Sequence, residues 1–160
     1  MNEPLPRGSE TSLVLTHLMQ PADANYMGNI HGGFIMKLID EAASACAFRF
    51  CRTSVVTAAI DRIDFHHPVQ IGSLVRLLAN VNYAGRTSVE VGVRVEAEDL
   101  STGLTTHTNS AYLVFVALGD SGRPTPVPQF TPVTPDQRHW HEKAVERRRK
   151  RLAEREPADD

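Results

Sequence analysis

The sequence predicts an α+β domain in which an antiparallel five-stranded sheet wraps around one long central helix. Apolar residues recur with helical spacing in one long segment, residues 32–49, while several later segments alternate apolar and polar side chains with a period of two. Short turn signals separate those segments, and connections this short join antiparallel neighbours. Such a sheet can cover a single helix on one side.

The first predicted elements are a strand, a loop and the helix. Residues 12–19 (SLVLTHLM) read as the strand, which Gln20 and Pro21 close. The loop spans residues 22–30. In the helix, apolar residues fall at i, i+3, i+4 and i+7, which predicts a wide buried face.

Four strands with short turns between them follow the helix. The clearest has a valine or alanine at every second position from Val89 to Ala97, alternating with polar residues, so we expect one buried face and one face in water. We expect the strands to form a meander in chain order. They are residues 54–65, 74–83, 87–98 and 104–118.

A proline-rich arm and a charged helix follow the sheet. Residues 120–135 carry five prolines and predict an extended arm, and residues 136–156 predict a helix with few apolar positions. Its run RRRKR is flanked by glutamates, so we interpret the helix as solvated or docked on another subunit, with a nucleic-acid or membrane patch as the alternative. We therefore divide the chain into a flexible N-terminus (1–11), the main domain (12–130), and the arm with its helix (131–160).

Composition narrows the class of partner. A formal net charge of −2 argues against nucleic acid, and neither an apolar leader nor a membrane-length apolar run is present, so we expect a cytoplasmic protein that acts on a small molecule. Cys46 and Cys51 form no C-x-x-C motif, which favours a reducing compartment. We expect no metal site and no membrane contact.

The most informative segment is residues 28–33 (GNIHGG), a glycine-rich loop that leads into the helix. The first backbone N–H groups of a helix lack intrahelical partners and lie at its positive end, so a carbonyl placed against Gly32 and Gly33 would be polarised. Asp40 follows two turns later on a mostly apolar helix. Taken alone, Asp40 reads as a surface residue paired with Lys37, and Asn29 as a turn or cap residue.

Several segments resemble the hotdog-fold acyl-CoA thioesterases of the cytosolic acyl-CoA hydrolase type. The resemblance covers about residues 12–130. It is carried by the pattern PxDxNxxGNIHGG at residues 21–33, MKLIDE at 36–41, DFHHPVxIG at 64–72, GRTS at 85–88 and YLVFVAL at 112–118.

This resemblance implies a thioesterase whose sites lie between two subunits. Asn29 of one chain would face Asp40 of the other, with Asp40 as general base or nucleophile and the Gly33 N–H, helped by Gly32, as oxyanion donor. It implies a homodimer as the minimal unit, a trimer of dimers as the assembly, and no cofactor besides the CoA of the substrate. The role of His31 is open between substrate binding and capping of the helix.

The CoA phosphates need donors, and the turn at Arg86, Thr87 and Ser88 offers a guanidinium and two hydroxyls. The alternative is a solvated hairpin turn, and the fallback donors are Arg49, Arg52 and Arg62. Phe34, Leu38 and Ala42 are expected to line the acyl tunnel. Two other functions stay open: an acyl-CoA sensor without catalysis, and a hotdog hydratase or dehydratase that pairs Asp40 with His31.

Overall fold

The computed structural model describes residues 3–155 of the chain. It confirms the predicted α+β architecture, with element ends within two or three residues of those expected from periodicity. In chain order the elements are β1 (Ser12–Leu18), a short 3-10 turn (Pro21–Asp23), α1 (Gly32–Cys51), β2 (Val55–Phe65), β3 (Leu74–Ala84), β4 (Ser88–Glu98), β5 (Thr105–Ala117) and α2 (Pro135–Arg155).

The strands form one antiparallel sheet in the order β1-β3-β4-β5-β2. The prediction of a meander is therefore right for β3, β4 and β5 and wrong for β2, which pairs with β5 at the far edge. Residues 66–73 do not form a hairpin because their backbone groups find partners elsewhere. The Ile30 N–H donates to Val69 O at 2.8 Å and the His66 N–H donates to Thr108 O at 2.8 Å.

Helix α1 packs across one face of this sheet and forms the core with it. Alternate residues of β3, β4 and β5 point toward the helix and are buried, as their period of two predicts. The largest fully buried side chains include Phe50, Phe115, Ile39, Leu77 and Leu113. The small residues along α1 let its axis lie close to the strands.

Helix α2 covers part of the opposite face of the sheet. The expectation of a wet face on β4 is wrong at Glu90, which is 2% exposed because Arg147 of α2 lies over it and donates to Oε1 at 2.6 Å. Trp140 contacts Tyr112, and Ala144 is buried. Gly92 keeps this surface flat, since a Cβ there would lie 2.6 Å from the Asn82 amide nitrogen.

The position of α2 corrects our reading of the basic run. Arg147 and Arg151, one turn apart, pair with Glu90 and Asp61 of the chain's own sheet. The helix thus docks on the sheet of its own chain. The predicted last residue, Glu156, lies outside the described part of the chain.

The N-terminal stretch and the proline-rich arm both lie against the end of α1. The Arg7 guanidinium donates to Cys51 O at 2.8 Å and to Pro126 O at 3.1 Å, and the Gly8 N–H donates to Phe50 O at 2.8 Å. Within residues 3–155, neither helix is long and apolar enough to cross a bilayer.

Candidate active site

The loop before α1 presents Asn29 and the start of the helix together. Gly28 takes a positive φ of 85°, which a side chain would oppose. The Asn25 carboxamide oxygen accepts from the Met27 N–H at 3.0 Å and from the Asn29 N–H at 3.3 Å. Asn29 also forms a bridge with Gln70. These backbone bonds hold the loop and leave the Asn29 side chain for other partners.

His31 caps the helix. Its backbone is extended, with φ −60° and ψ 127°, and its Nδ1 accepts from the Gly33 N–H at a long 3.4 Å. The capping role that the sequence left open is therefore the one His31 has here, and Gly33, the expected oxyanion donor, holds only a weak partner.

Asp40 lies half-exposed at the boundary between α1 and β2. Its Oδ1 accepts from the Thr57 hydroxyl at 2.8 Å, and Lys37 pairs with Glu41 at 3.4 Å rather than with Asp40. The reading of Asp40 as a local ion-pair residue is thus wrong. Thr57 was missed by the sequence analysis, although a threonine in the otherwise apolar start of β2 was a signal.

The candidate residues fall into two groups at different levels of the molecule. Gly33 and Asp40 are seven residues apart, or about 10 Å along a helix axis, so one chain does not place both on a single thioester. A Cβ at Gly32 would lie 3.6 Å from the Phe65 ring, which places the helix start beside the end of β2. Asp40 instead meets Thr57, near the beginning of β2.

The turn at residues 85–88 lies at the same end of the sheet as the beginning of β2. Thr87 O accepts from the Ala117 N–H at 2.9 Å, and Ala117 pairs with Val55. Arg86 is exposed, while Thr87 and Ser88 are half-buried. This turn is therefore grouped with Asp40 and is remote from Gly33 within one chain.

The surface around Asp40 is unusually apolar. On α1, Met36 and Phe48 lie one turn before and two turns after Asp40 and are 42% and 50% exposed. On β2, Val56 and Ile60 are 46% and 45% exposed, and Phe65, at the far end of the strand, is 55% exposed. The outer side of β2 pairs with no strand among the described residues. An unpaired edge with an apolar surface is a typical site for association.

Other sequence predictions fare less well. Leu38 and Ala42 are packed in the core, so they do not line an open tunnel in the isolated chain, because the sheet already fills the space beside them. Arg62 pairs with Asp64 at 2.8 Å and Arg49 with Glu10 at 3.6 Å. His31 and Asp40 are nine residues apart on α1, about 13 Å, which does not suit the acid–base pair of a hydratase within one chain.

Comparisons with known proteins identify the family. A model described as the thioesterase superfamily matches residues 27–104. The uncharacterized acyl-CoA thioester hydrolase YkhA of Bacillus subtilis is 38% identical over 89% of this chain and 83% of its own length. The chain belongs to the acyl-CoA thioesterase family.

Solved structures of this thioesterase family share the whole fold. An apo-hexameric acyl-CoA thioesterase superposes with a TM-score of 0.89 at 36% identity, covering 96% of this chain and 98% of the other. The acyl-CoA hydrolase of Staphylococcus aureus in complex with butyryl-CoA and CoA gives 0.86 at 33% identity, covering 95% and 93%. That hydrolase was also solved with an aspartate, an asparagine and a threonine each changed to alanine. The sheet around α1 is thus the hotdog fold.

Proposed function

We propose that this protein hydrolyses the thioester of acyl-CoA to a carboxylic acid and CoA at two equivalent sites between two copies of the chain. The observation that carries the proposal is the separation of two complementary half-sites. Gly32, which precedes Gly33 at the start of α1, lies against the Phe65 ring at the end of β2. Asp40 accepts a hydrogen bond from Thr57, near the beginning of β2.

A two-fold axis through the β2 edge would join the half-sites. Two β2 strands paired antiparallel place the Phe65 end of each chain beside the Val55 end of the other. The loop of one protomer then faces Asp40 of its partner. The exposed apolar side chains of β2 would be covered by the same contact. Hexameric relatives support further association, and a trimer of such dimers is the assembly we propose.

The chemistry uses one carboxylate and one backbone donor. Asp40 takes a proton from a water molecule as that water attacks the thioester carbon. The Gly33 N–H, released from its weak bond to His31, stabilises the negative charge on the carbonyl oxygen. Collapse of the tetrahedral intermediate breaks the C–S bond, and the proton on Asp40 passes to the departing thiolate. Asn29 orients the water or the carbonyl.

Thr57 is a positioning residue in this scheme. Its hydroxyl donates to Oδ1 of Asp40 and leaves Oδ2 for the water. The S. aureus relative supports the roles of Asp40 and Thr57, because the aspartate and the threonine changed there are 17 residues apart, as Asp40 and Thr57 are. The two free, buried cysteines fit a reducing, cytoplasmic setting.

The function is tested by release of free thiol from acyl-CoAs of graded chain length. We expect steady turnover by the wild-type protein and a preference for some chain lengths. Binding of acyl-CoA without thiol release would support the sensor, and hydration of an enoyl-CoA without thiol release would support the hydratase.

Arg86 is proposed to bind a CoA phosphate. Arg86→Ala should raise KM for acyl-CoA by about tenfold, the effect of one charge-assisted hydrogen bond, and leave KM for the matching acyl-pantetheine unchanged. An exposed arginine on α2, changed in Arg149→Ala, controls for the general loss of a positive charge. Equal changes on both substrates would remove Arg86 from the site.

A further inference from the structure

Arg52, the residue that ends α1, has an unfavourable backbone conformation. Its φ of 53° and ψ of 31° lie in the left-handed region, and it is the one non-glycine residue with positive φ among residues 3–155. Its N–H donates to Phe48 O at 2.7 Å and closes the helix. Glycine suits this position best, because a Cβ is strained there. Because glycine would fit this position without strain, the presence of arginine indicates that its side chain has a function.

The Arg52 side chain lines an open groove of about 540 Å³. Ser44, Ala45 and Phe48 of α1 and Val55 of β2 also line it, which makes much of its lining apolar. The groove begins next to Asp40 along α1, since Glu41 and Ser44 line it, and Val55 of its lining lies two residues before Thr57 on β2. A substrate held at Asp40 can therefore extend one of its arms into this groove.

Among the charged side chains that line the groove in the described part of the chain, Arg52 is the cation that is not already in an ion pair. Arg49 pairs with Glu10 and donates to Ser12 O at 3.1 Å. Glu41, the acidic residue that lines the groove, pairs with Lys37 at 3.4 Å. No ion pair among residues 3–155 includes Arg52. A guanidinium without a carboxylate partner at the end of a groove suits an anionic ligand group.

The distance between Asp40 and Arg52 decides which anionic group of the substrate Arg52 can bind. Arg52 is twelve residues past Asp40, or about 18 Å along the helix axis. A carboxylate on a short acyl chain does not reach so far from the thioester, whereas the phosphates of CoA lie beyond the long pantetheine arm. We propose that the pantetheine arm occupies this groove and that Arg52 binds a phosphate group of CoA. The inference rests on the proposed function, which places the thioester at Asp40.

The test uses binding and stability together. Calorimetric titration with CoA should give Arg52→Gly a Kd about tenfold weaker than wild type, since one charge-assisted hydrogen bond is lost. Pantetheine, which has no phosphate, should bind both proteins equally. Because glycine relieves the strain, the same variant should melt about 2 °C higher than wild type. Arg52→Lys should keep part of the CoA affinity, and Arg149→Ala, the same loss of charge on α2, should leave it unchanged.

A purely structural Arg52 gives a different pattern. A Kd for CoA that stays unchanged in Arg52→Gly, or that weakens by the same factor for pantetheine, would overturn the proposal. Measuring thiol release by the wild type distinguishes a failure of the Arg52 proposal from a failure of the proposed function. If Arg52→Gly weakens CoA binding but the wild type releases no thiol, the role of Arg52 stands and the proposed hydrolase activity is contradicted. If the wild type hydrolyses acyl-CoA but Arg52→Gly binds CoA as tightly as wild type, the activity stands and the role of Arg52 is contradicted.

Discussion

Two carboxylates on opposite faces of the sheet, Glu90 and Asp40, have contrasting surroundings. Glu90 is 2% exposed and accepts hydrogen bonds from three nitrogen atoms. Nε and Nη2 of Arg147 donate to its two oxygens, and the Asn82 amide donates to Oε1 at 3.2 Å. Asp40 is half-exposed and accepts one side-chain hydrogen bond, from Thr57. No cation among residues 3–155 pairs with it.

The difference is the one expected between a structural carboxylate and the reactive carboxylate that we propose. Both carboxylate oxygens of Glu90 accept hydrogen bonds, and its charge is neutralised by Arg147, which also lies 3.7 Å from the Tyr112 ring centroid. Asp40 keeps one oxygen free for a proton and is oriented by a neutral hydroxyl. Buried ion pairs fasten elements together, whereas a carboxylate that accepts protons needs an open lone pair.

The largest expected effect is on catalysis at Asp40. Asp40→Asn should lower kcat by about 10²–10⁴-fold, because the base is lost while the shape and the Thr57 contact are kept. The melting temperature should stay close to that of wild type. Glu90→Gln serves as the matched control and should show the opposite pattern, a lower melting temperature with kcat retained in the folded protein. Near-normal thiol release by folded Asp40→Asn would refute the assignment.

The next effect is on stability at Glu90. Arg147→Ala leaves a buried carboxylate without its cation, which costs about 3 kcal/mol and lowers the melting temperature by about 6–12 °C. Arg149→Ala removes an exposed charge from the same helix and should change the free energy of unfolding by less than about 0.5 kcal/mol. Equal losses in the two variants would show that the pair does not fasten α2.

The smallest effect concerns pH on the face that carries α2. Burial, with Arg94 beside it, lowers the pKa of His107, whose Nδ1 lies 3.2 Å from the Arg94 guanidinium. The unfolded chain therefore binds more protons than the folded protein as the pH falls. The stability that neutral His107 contributes to the folded protein is thus present above about pH 6.5 and is lost as the pH falls through the pKa of the folded state.

His107→Gln isolates that contribution. The stability advantage of wild type over the variant should shrink as the pH falls from 7.5 to 5, by under about 1 kcal/mol because the site is partly solvated. His66 and Glu96 also face His107, so both are kept in the variant. A difference in melting temperature that is constant with pH would contradict the account.

Local patterns predicted the elements but not all of their partners. The period of the apolar residues placed α1 and the strands, since helix and strand periods are properties of short segments. The pairing of β2 with β5 was missed because residues 66–73 find their hydrogen-bond partners at Ile30 and Thr108, far along the chain. The docking of α2 was missed for a similar reason: Arg147 and Glu90 are 57 residues apart, and each looks like an ordinary surface charge.

The sequence predicted those parts of the candidate site that lie within one short segment and missed those that depend on tertiary contacts. The glycine loop and Asp40 stand within one short segment, so their spacing was visible. Thr57 carries no spacing signal, and its role depends on how α1 lies over β2. The capping bond of His31 depends on its χ angles, which a sequence does not specify. The proposed pairing of Asn29 with Asp40 depends on contacts between two protomers, which no local sequence pattern encodes.

Mixing two inactive variants tests this central claim most directly. Asn29→Ala and Asp40→Asn should each be nearly inactive alone. If each site takes Asn29 from one chain and Asp40 from the other, a mixed dimer contains one doubly damaged site and one intact site. Random pairing makes about half the dimers mixed, so co-refolding should recover about a quarter of wild-type thiol release. No recovery, with mixed dimers demonstrated by mass spectrometry, would contradict the shared site.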